Sequence, residues 1–454
     1  MPRSLVALAG VGAAAALLAS FACSQGRAPA AGEESALGAG LSVARALRAP
    51  DARGFARALV PRPFAFPADH GPHPEFRTEW WYYTGNLAAR DGRRFGFQLT
   101  FFRSALAPPV PPAARTSAIA SPSAEPPAPA TSPGEPSGPG TGTGPPLALA
   151  ARTSAWATRQ VYFAHFALTD IAGRRFLAYE RWERQALDLA GARASPFRVW
   201  VGDWSAAAAG PELAGTPPMR LAAVAGGAGG ECGAEAATRE ARGDGGAAID
   251  LVLTSALPPV PQGDRGLSPK SAEAGNASYY YSLPRLAAVG NLRLGAETVA
   301  VTGLAWMDRE WSTSGLAAGE VGWDWFALQL DDGWELMLYR LRRRAAGGTA
   351  VADPASRATL IAPDGHAQPL SLAGLRFAET GHWTSPASHA RYPSGWRLTR
   401  SAAGLAGFDL TVQPLLANQE LPLSLRYWEG AVTARGTRDG RPVTASGYVE
   451  LTGY

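Results

Sequence analysis

Glu79-Trp-Trp-Tyr-Tyr83, a turn signal at Asp91-Gly92, and Phe95-Gly-Phe-Gln-Leu-Thr-Phe-Phe-Arg103 follow one another and decide the fold class. The two flanking runs are rich in aromatic residues, which suit the pleated, half-buried surface of a strand. Asp-Gly between them supplies the backbone freedom that a hairpin turn requires. On a strand, Glu79, Trp81 and Tyr83 share one face, and Trp80 and Tyr82 share the other.

The same pattern recurs along the chain. Residues 161–169, 248–254, 323–330, 335–341, 395–399, 408–412, 427–435 and 441–451 read as strands. Asp332-Gly333 and Asp439-Gly440 mark further hairpins. No 3.6-residue period lasts longer than three turns. Many short strands with turn signals between them predict an all-β protein of barrels or sandwiches. The 454 residues suffice for two such bodies, expected at 59–270 and 285–454 and packed on each other.

Composition narrows the function classes. The 14 Trp, 12 Tyr and 16 Phe can build a sizeable core and aromatic-lined cavities. The net charge is +4, yet the basic residues are 41 Arg and one Lys, Lys270. The Arg residues are scattered among acids, so they form no nucleic-acid footprint and no nucleic-acid partner is expected. Residues 107–150, rich in Pro, Ala, Ser and Gly, cannot bury a core, and residues 205–247 read as a milder Ala/Gly insert. Both are expected as surface loops.

Residues 1–22 read as a signal peptide, with Arg3 before an apolar run that is short for a bilayer span. Ala19-Ser-Phe-Ala-Cys23 is similar to a lipobox, which makes Cys23 the expected lipidation site and 23–58 a tether. Cys232 is the only other cysteine, so no cysteine-based metal site is available. The expected location is the cell envelope or periplasm, held as an outer-membrane lipoprotein, with the membrane as partner through that anchor.

Several blocks together carry a resemblance. Asp69-His-Gly-Pro-His-Pro-Glu-Phe-Arg-Thr-Glu-Trp-Trp-Tyr-Tyr-Thr-Gly-Asn86 resembles the opening motif of the AttH / carotenoid 1,2-hydratase family. Phe97-Gln-Leu-Thr-Phe-Phe-Arg103, His165-Phe-Ala-Leu-Thr-Asp170 and Tyr279-Tyr-Tyr-Ser-Leu-Pro-Arg285 continue it. Gly303-Leu-Ala-Trp-Met-Asp-Arg-Glu-Trp311, Gly322-Trp-Asp-Trp-Phe-Ala-Leu-Gln-Leu-Asp-Asp332 and Tyr427-Trp-Glu-Gly430 complete it. The resemblance implies two lipocalin-like barrels. It also implies relatives that hydrate carbon–carbon double bonds in carotenoids and isoflavonoids, and fungal relatives that act as pericyclic cyclases. Fold follows from such a resemblance better than reaction does.

The candidate site follows from chemistry. Hydrating an unactivated alkene needs a proton donor, a stabilised carbocation and a held water. Trp306, Asp308 and Glu310 share a strand face, and a desolvated Asp308 is a candidate acid. Trp306, Tyr279 and Tyr281 are candidates for the ring faces and the water ligand. The hydratases carry His-x-aromatic upstream, where this chain has Tyr279-x-Tyr281. Asp308 with Arg309 as a structural ion pair is the other reading.

Glu79, beside Trp81 and Tyr83, is a second candidate acid, or else it pairs with Arg77 or Arg103. Trp323 and Trp325 line a pocket or join the core. His70 and His73 place no third metal ligand, so no metal and no cofactor are expected. No Gly-x-Ser-x-Gly elbow is present, so a serine hydrolase finds no support. Three functions compete: a hydro-lyase on a lipophilic terpenoid, polyene or lipid; a non-catalytic carrier of such a ligand; and an envelope assembly factor.

Overall fold

A computed structural model describes residues 41–42, 53–109, 158–212, 215–226, 246–317, 319–345, 350–370, 372–401 and 407–454. Cys23, the expected signal peptide and most of the expected tether lie outside the described residues. So do 110–150 of the first insert and 227–245 of the second. Among the described residues there is no α-helix, only strands and short 3-10 turns. Most strands form two large sheets, antiparallel except where Leu41–Ser42 pairs parallel with Leu425–Arg438, and His382–Thr384 with Arg391–Pro393 makes a separate two-stranded sheet.

The first sheet runs in the order Arg175–Arg184, Gln160–Asp170, Arg94–Ala105, Thr78–Ala89, Glu297–Ser312, Ala277–Leu294, Ala247–Ser255, Met219–Ala225, Trp204–Ala208, Phe197–Val201, Ala190–Ala194. It curls until Arg175–Arg184 returns against Phe197–Val201, nearly closing a barrel. The second runs Ala367–Leu370, Arg357–Ile361, Glu335–Arg344, Glu320–Leu330, Arg441–Leu451, Leu425–Arg438, Phe408–Pro414, Trp396–Arg400, Leu375–Glu379. The tight turn at Asp439-Gly440 joins two of its strands, with φ 49° and 77° at the two residues, as a primed hairpin turn demands.

The chain is therefore all-β, with two lipocalin-like lobes. Two expectations need correction. The division between lobes does not fall at 270–285, because Ala277–Leu294 and Glu297–Ser312 belong to the first sheet. A strand's sequence does not say which sheet it joins, and these two pair with each other and with Thr78–Ala89. The stretch 205–247 is not one loop either. Most of Trp204–Ala208 and all of Met219–Ala225 are strands within it. In the latter, Met219, Leu221, Ala223 and Ala225 are buried in alternation with Arg220, Ala222 and Val224. Alanine buries so little area that this period of two is faint in sequence.

Each lobe encloses its own apolar core, one around Trp81, Phe97 and Leu251 and the other around Phe326, Trp396 and Val432. A third core lies on the seam, where Tyr82, Tyr280 and Trp306 of the first lobe meet Trp325, Met337 and Tyr448 of the second. Gly96 permits this approach: a Cβ there would stand 2.6 Å from Ala431 Cβ and 2.9 Å from Tyr448 Oη. Polar bonds cross the seam as well. Tyr82 Oη donates to Glu429 at 2.7 Å, and Asn86 Nδ2 donates to the Gly447 carbonyl at 2.9 Å.

Candidate active site at the seam of the two lobes

Strand register builds the floor of the site. Phe102, Trp80, Glu310 and Tyr280 are cross-strand neighbours in one row. Thr100, Tyr82, Asp308 and Ser282 form the next. Neighbours in such rows stand close enough to touch. Both rows point at the second lobe and all but Ser282 line a cavity of about 100 Å³. Opposite them, Trp323, Trp325, Tyr339, Leu341, Tyr427 and Glu450 come from four strands of the second lobe.

Asp308 is held by three donors, none of them a cation. Tyr280 Oη donates to Oδ2 at 2.5 Å, Ser282 Oγ to Oδ1 at 2.5 Å, and Trp306 Nε1 to Oδ1 at 2.7 Å. Trp325 Nε1 donates in turn to Tyr280 Oη at 3.2 Å, so the second lobe buttresses the set. Burial pushes the Asp308 carboxyl up to about 7, against the downward pull of these three bonds. The alternative reading, an ion pair of Asp308 with Arg309, is not what forms, because Arg309 is on the opposite face of the sheet, against Glu79.

Glu450 is a third carboxyl lining the cavity, with Asp308 and Glu310. Burial pushes it up to about 7 as well; Trp323 Nε1 donates to its Oε2 at 3.2 Å, and Glu310 and Asp308 add repulsion. Tyr427 Oη receives a bond from Gln98 Nε2 at 3.1 Å and lies 2.8 Å from His165 Nδ1. His165 Nε2 lies 2.9 Å from Glu180. Glu310 pairs with Lys270 at 2.7 Å.

The sequence-derived candidates divide between the two faces. Asp308, Glu310, Trp323 and Trp325 line the cavity, and Trp306 supports Asp308 from behind. Glu79, Trp81, Tyr83, Tyr279 and Tyr281 point the other way, into the first lobe, and do not reach it. There Tyr281 Oη bonds His70 Nδ1 at 2.6 Å, Tyr279 Oη donates to the Val60 carbonyl at 3.0 Å, and Tyr83 contacts Met219 Sδ at 3.6 Å. Trp81 Nε1 donates to the His70 carbonyl at 2.8 Å, and the Arg309 guanidinium lies 3.9 Å from its ring centroid.

Glu79 is clamped by Arg103 and Arg309, and by the backbone N–H of His73 at 3.1 Å. Burial alone would raise its carboxyl, but Arg309 and Arg103 outweigh it and hold the group well below the usual carboxylate range. The pairing with Arg103 is one of the two alternatives read from sequence. His73 bridges Asp69 at 2.9 Å and stacks on Trp311 at 3.8 Å. Among the described residues no group of three His, Cys, Asp or Glu side chains is arranged for a metal ion.

Sequence reasoning missed Trp80, Tyr82, Tyr280, Ser282, Tyr427, Glu450 and Lys270. The partners of Asp308 needed the cross-strand register, in which Asp308 faces Ser282. Lys270 carried its own signal, being the one lysine among 42 basic residues.

Fold and site together define a two-lobed β protein with an acid-and-aromatic cavity between its barrels. The AttH-like family profile matches residues 57–124 and 143–454, and the chain belongs to that family. An AttH protein of Nitrosomonas europaea of known structure is 30% identical, with a TM-score of 0.64, covering 88% of this chain and 100% of its own. Kievitone hydratase from Nectria haematococca shares the fold at 14% identity and a TM-score of 0.54, covering 88% and 98%. No curated protein sequence matches the chain.

Proposed function

We propose that the protein is an exported, envelope-anchored hydro-lyase that adds water across a carbon–carbon double bond of a lipophilic substrate, a terpenoid, polyene or lipid. One observation carries the reading: a buried carboxyl, Asp308, lines an aromatic cavity with only neutral donors around it. Such a carboxyl keeps its proton near neutral pH and is poised to give it away. Export and anchoring rest on residues 1–22 and Cys23 as sequence. A hydratase among proteins of this fold agrees with the reading but carries no part of it.

The chemistry balances as follows. The alkene π pair takes the Asp308 proton, forming a C–H bond and leaving a carboxylate at Asp308 and a carbocation at the neighbouring carbon. Trp80, Trp323 and Trp325 line the cavity, and their indoles can stabilise that charge. A water oxygen bonds to the cation, and its surplus proton passes to the carboxylate just formed at Asp308, which restores the acid, so one water is consumed per turnover.

The test incubates the full-length chain and Asp308→Asn with an envelope lipid and terpenoid extract, followed by mass spectrometry. A product heavier by one water with wild type alone supports the assignment. A ligand retained unchanged by both proteins makes the protein a carrier and removes Asp308 from chemistry.

A further inference from the structure

The chain uses arginine at 41 of its 42 basic positions and lysine only at 270. That preference makes the exception informative, because arginine serves wherever a surface cation or an ordinary ion pair is needed. The exception falls on the wall of the seam cavity. Lys270 Nζ lies 2.7 Å from Glu310 Oε1, and 4.9 Å and 5.6 Å from the ring centroids of Tyr339 and Tyr280. Its side chain is 17% exposed.

An ammonium and a guanidinium differ here in more than size. A guanidinium facing Glu310 would present a planar fork and commit paired N–H groups to the carboxylate. The ammonium has three N–H groups. Glu310 Oε1 sits 2.7 Å away as its ion-pair partner, and Ser268 Oγ at 3.5 Å makes at most a weak claim on an N–H. A donor therefore remains for the cavity. Burial tends to discharge the amine, but Glu310 outweighs it and holds the Lys270 pKa above its ordinary value, so the group acts as a fixed donor and not as a nucleophile.

Charge selects the acceptor. Glu310 neutralises Lys270, while Asp308 and Glu450 face the same space. With Lys270 neutralised by Glu310 and the two acids favoured in their neutral form by burial, a carboxylate or phosphate would bury a charge without a free counter-charge, whereas a neutral carbonyl oxygen takes the N–H without that cost. Distance selects the placement. Glu310 and Asp308 are two residues apart on one strand face, roughly 7 Å, and Lys270 is held at Glu310, so the anchor and the acid face the same space from neighbouring positions.

Resting on the hydro-lyase reading of this same cavity, we infer that Lys270, held by Glu310, is a substrate-binding residue. It receives a neutral carbonyl oxygen of an otherwise lipophilic alkene and so places the double bond at Asp308.

The test titrates the full-length chain by tryptophan fluorescence with three probes: geranylacetone, the hydrocarbon lacking its carbonyl oxygen, and geranylacetic acid as its carboxylate. Wild type is expected to bind the ketone about tenfold more tightly than the other two, as one hydrogen bond to a charged donor provides. Lys270→Met and Lys270→Arg are expected to lose that tenfold preference while keeping affinity for the hydrocarbon. Lys270→Met combined with Glu310→Leu avoids leaving a buried carboxylate unpaired if the single variant folds poorly. A ketone preference that survives in these variants overturns the inference and leaves the hydro-lyase reading standing. Failure of wild type to bind any probe overturns both.

Discussion

Glu79 and Asp308 are both buried carboxyl groups on adjacent strands of the same sheet, 0% and 4% exposed. They lie on opposite faces and meet opposite fates. Glu79 faces the interior of the first lobe, where Arg103 and Arg309 hold it ionised. Asp308 faces the seam, where a phenol, a hydroxyl and an indole hold it and burial lifts it to about 7. Depth of burial is nearly the same, so the charge of the partners decides which acid keeps its proton. One strand face carries a structural clamp, and the other carries a reactive group.

The largest expected effect breaks the clamp. Glu79→Gln leaves two buried guanidinium groups without a counter-charge, and urea unfolding is expected to show a loss of about 3–5 kcal/mol. A loss below about 1 kcal/mol would mean that the arginines find other partners and that the clamp is not what holds this face.

A tyrosine pair tests the division between faces. Tyr280→Phe removes a donor to Asp308, and the hydration rate is expected to fall about tenfold, by the loss of a hydrogen bond to a charged group. Tyr281→Phe removes the bond to His70 and a long 3.5 Å bond to the Asp69 carbonyl, both inside the first lobe. It is expected to cost about 1 kcal/mol of stability and to leave the rate within about twofold. Equal rate losses in both variants would erase the distinction.

The two acids also predict opposite pH dependence. The raised Asp308 pKa favours the fold below its unfolded value, and that contribution is lost as pH rises through about 7. Asp308→Asn is therefore expected to gain in thermal stability relative to wild type as pH is raised from about 4 to about 8. The depressed Glu79 pKa works the other way, with a contribution present above its unfolded value and lost in acid. The deficit of Glu79→Gln is expected to shrink as pH falls below about 4. Thermal unfolding of the three proteins across pH measures both trends.

The smallest effect concerns the far wall. Trp323→Phe removes the N–H that reaches Glu450, and the stability change is expected to stay within about 1 kcal/mol. A larger loss would show that this indole packs the seam more than it serves the carboxyl.

The sequence made much of this fold legible. Strands with large alternating side chains, such as Arg94–Ala105 and Arg441–Leu451, announced themselves, and the Asp-Gly turns separated them. Strands built on alanine, such as Met219–Ala225, did not. In the site, the grouping of Trp306, Asp308 and Glu310 followed from alternation alone. Their facing partners did not, because alternation orders one strand and says nothing of its register against the next. Three tyrosines in a row at 279–281 give no hint of which one faces Asp308, and Tyr427 and Glu450 arrive from another lobe.

Protonation of Asp308 is the central claim, and infrared difference spectroscopy of wild type minus Asp308→Asn reads it directly. A protonated carboxyl C=O band present at pH 6, vanishing with a midpoint near 7, is the predicted result. Absence of that band above about pH 5 would show Asp308 ionised like Glu79, and would contradict its assignment as the acid.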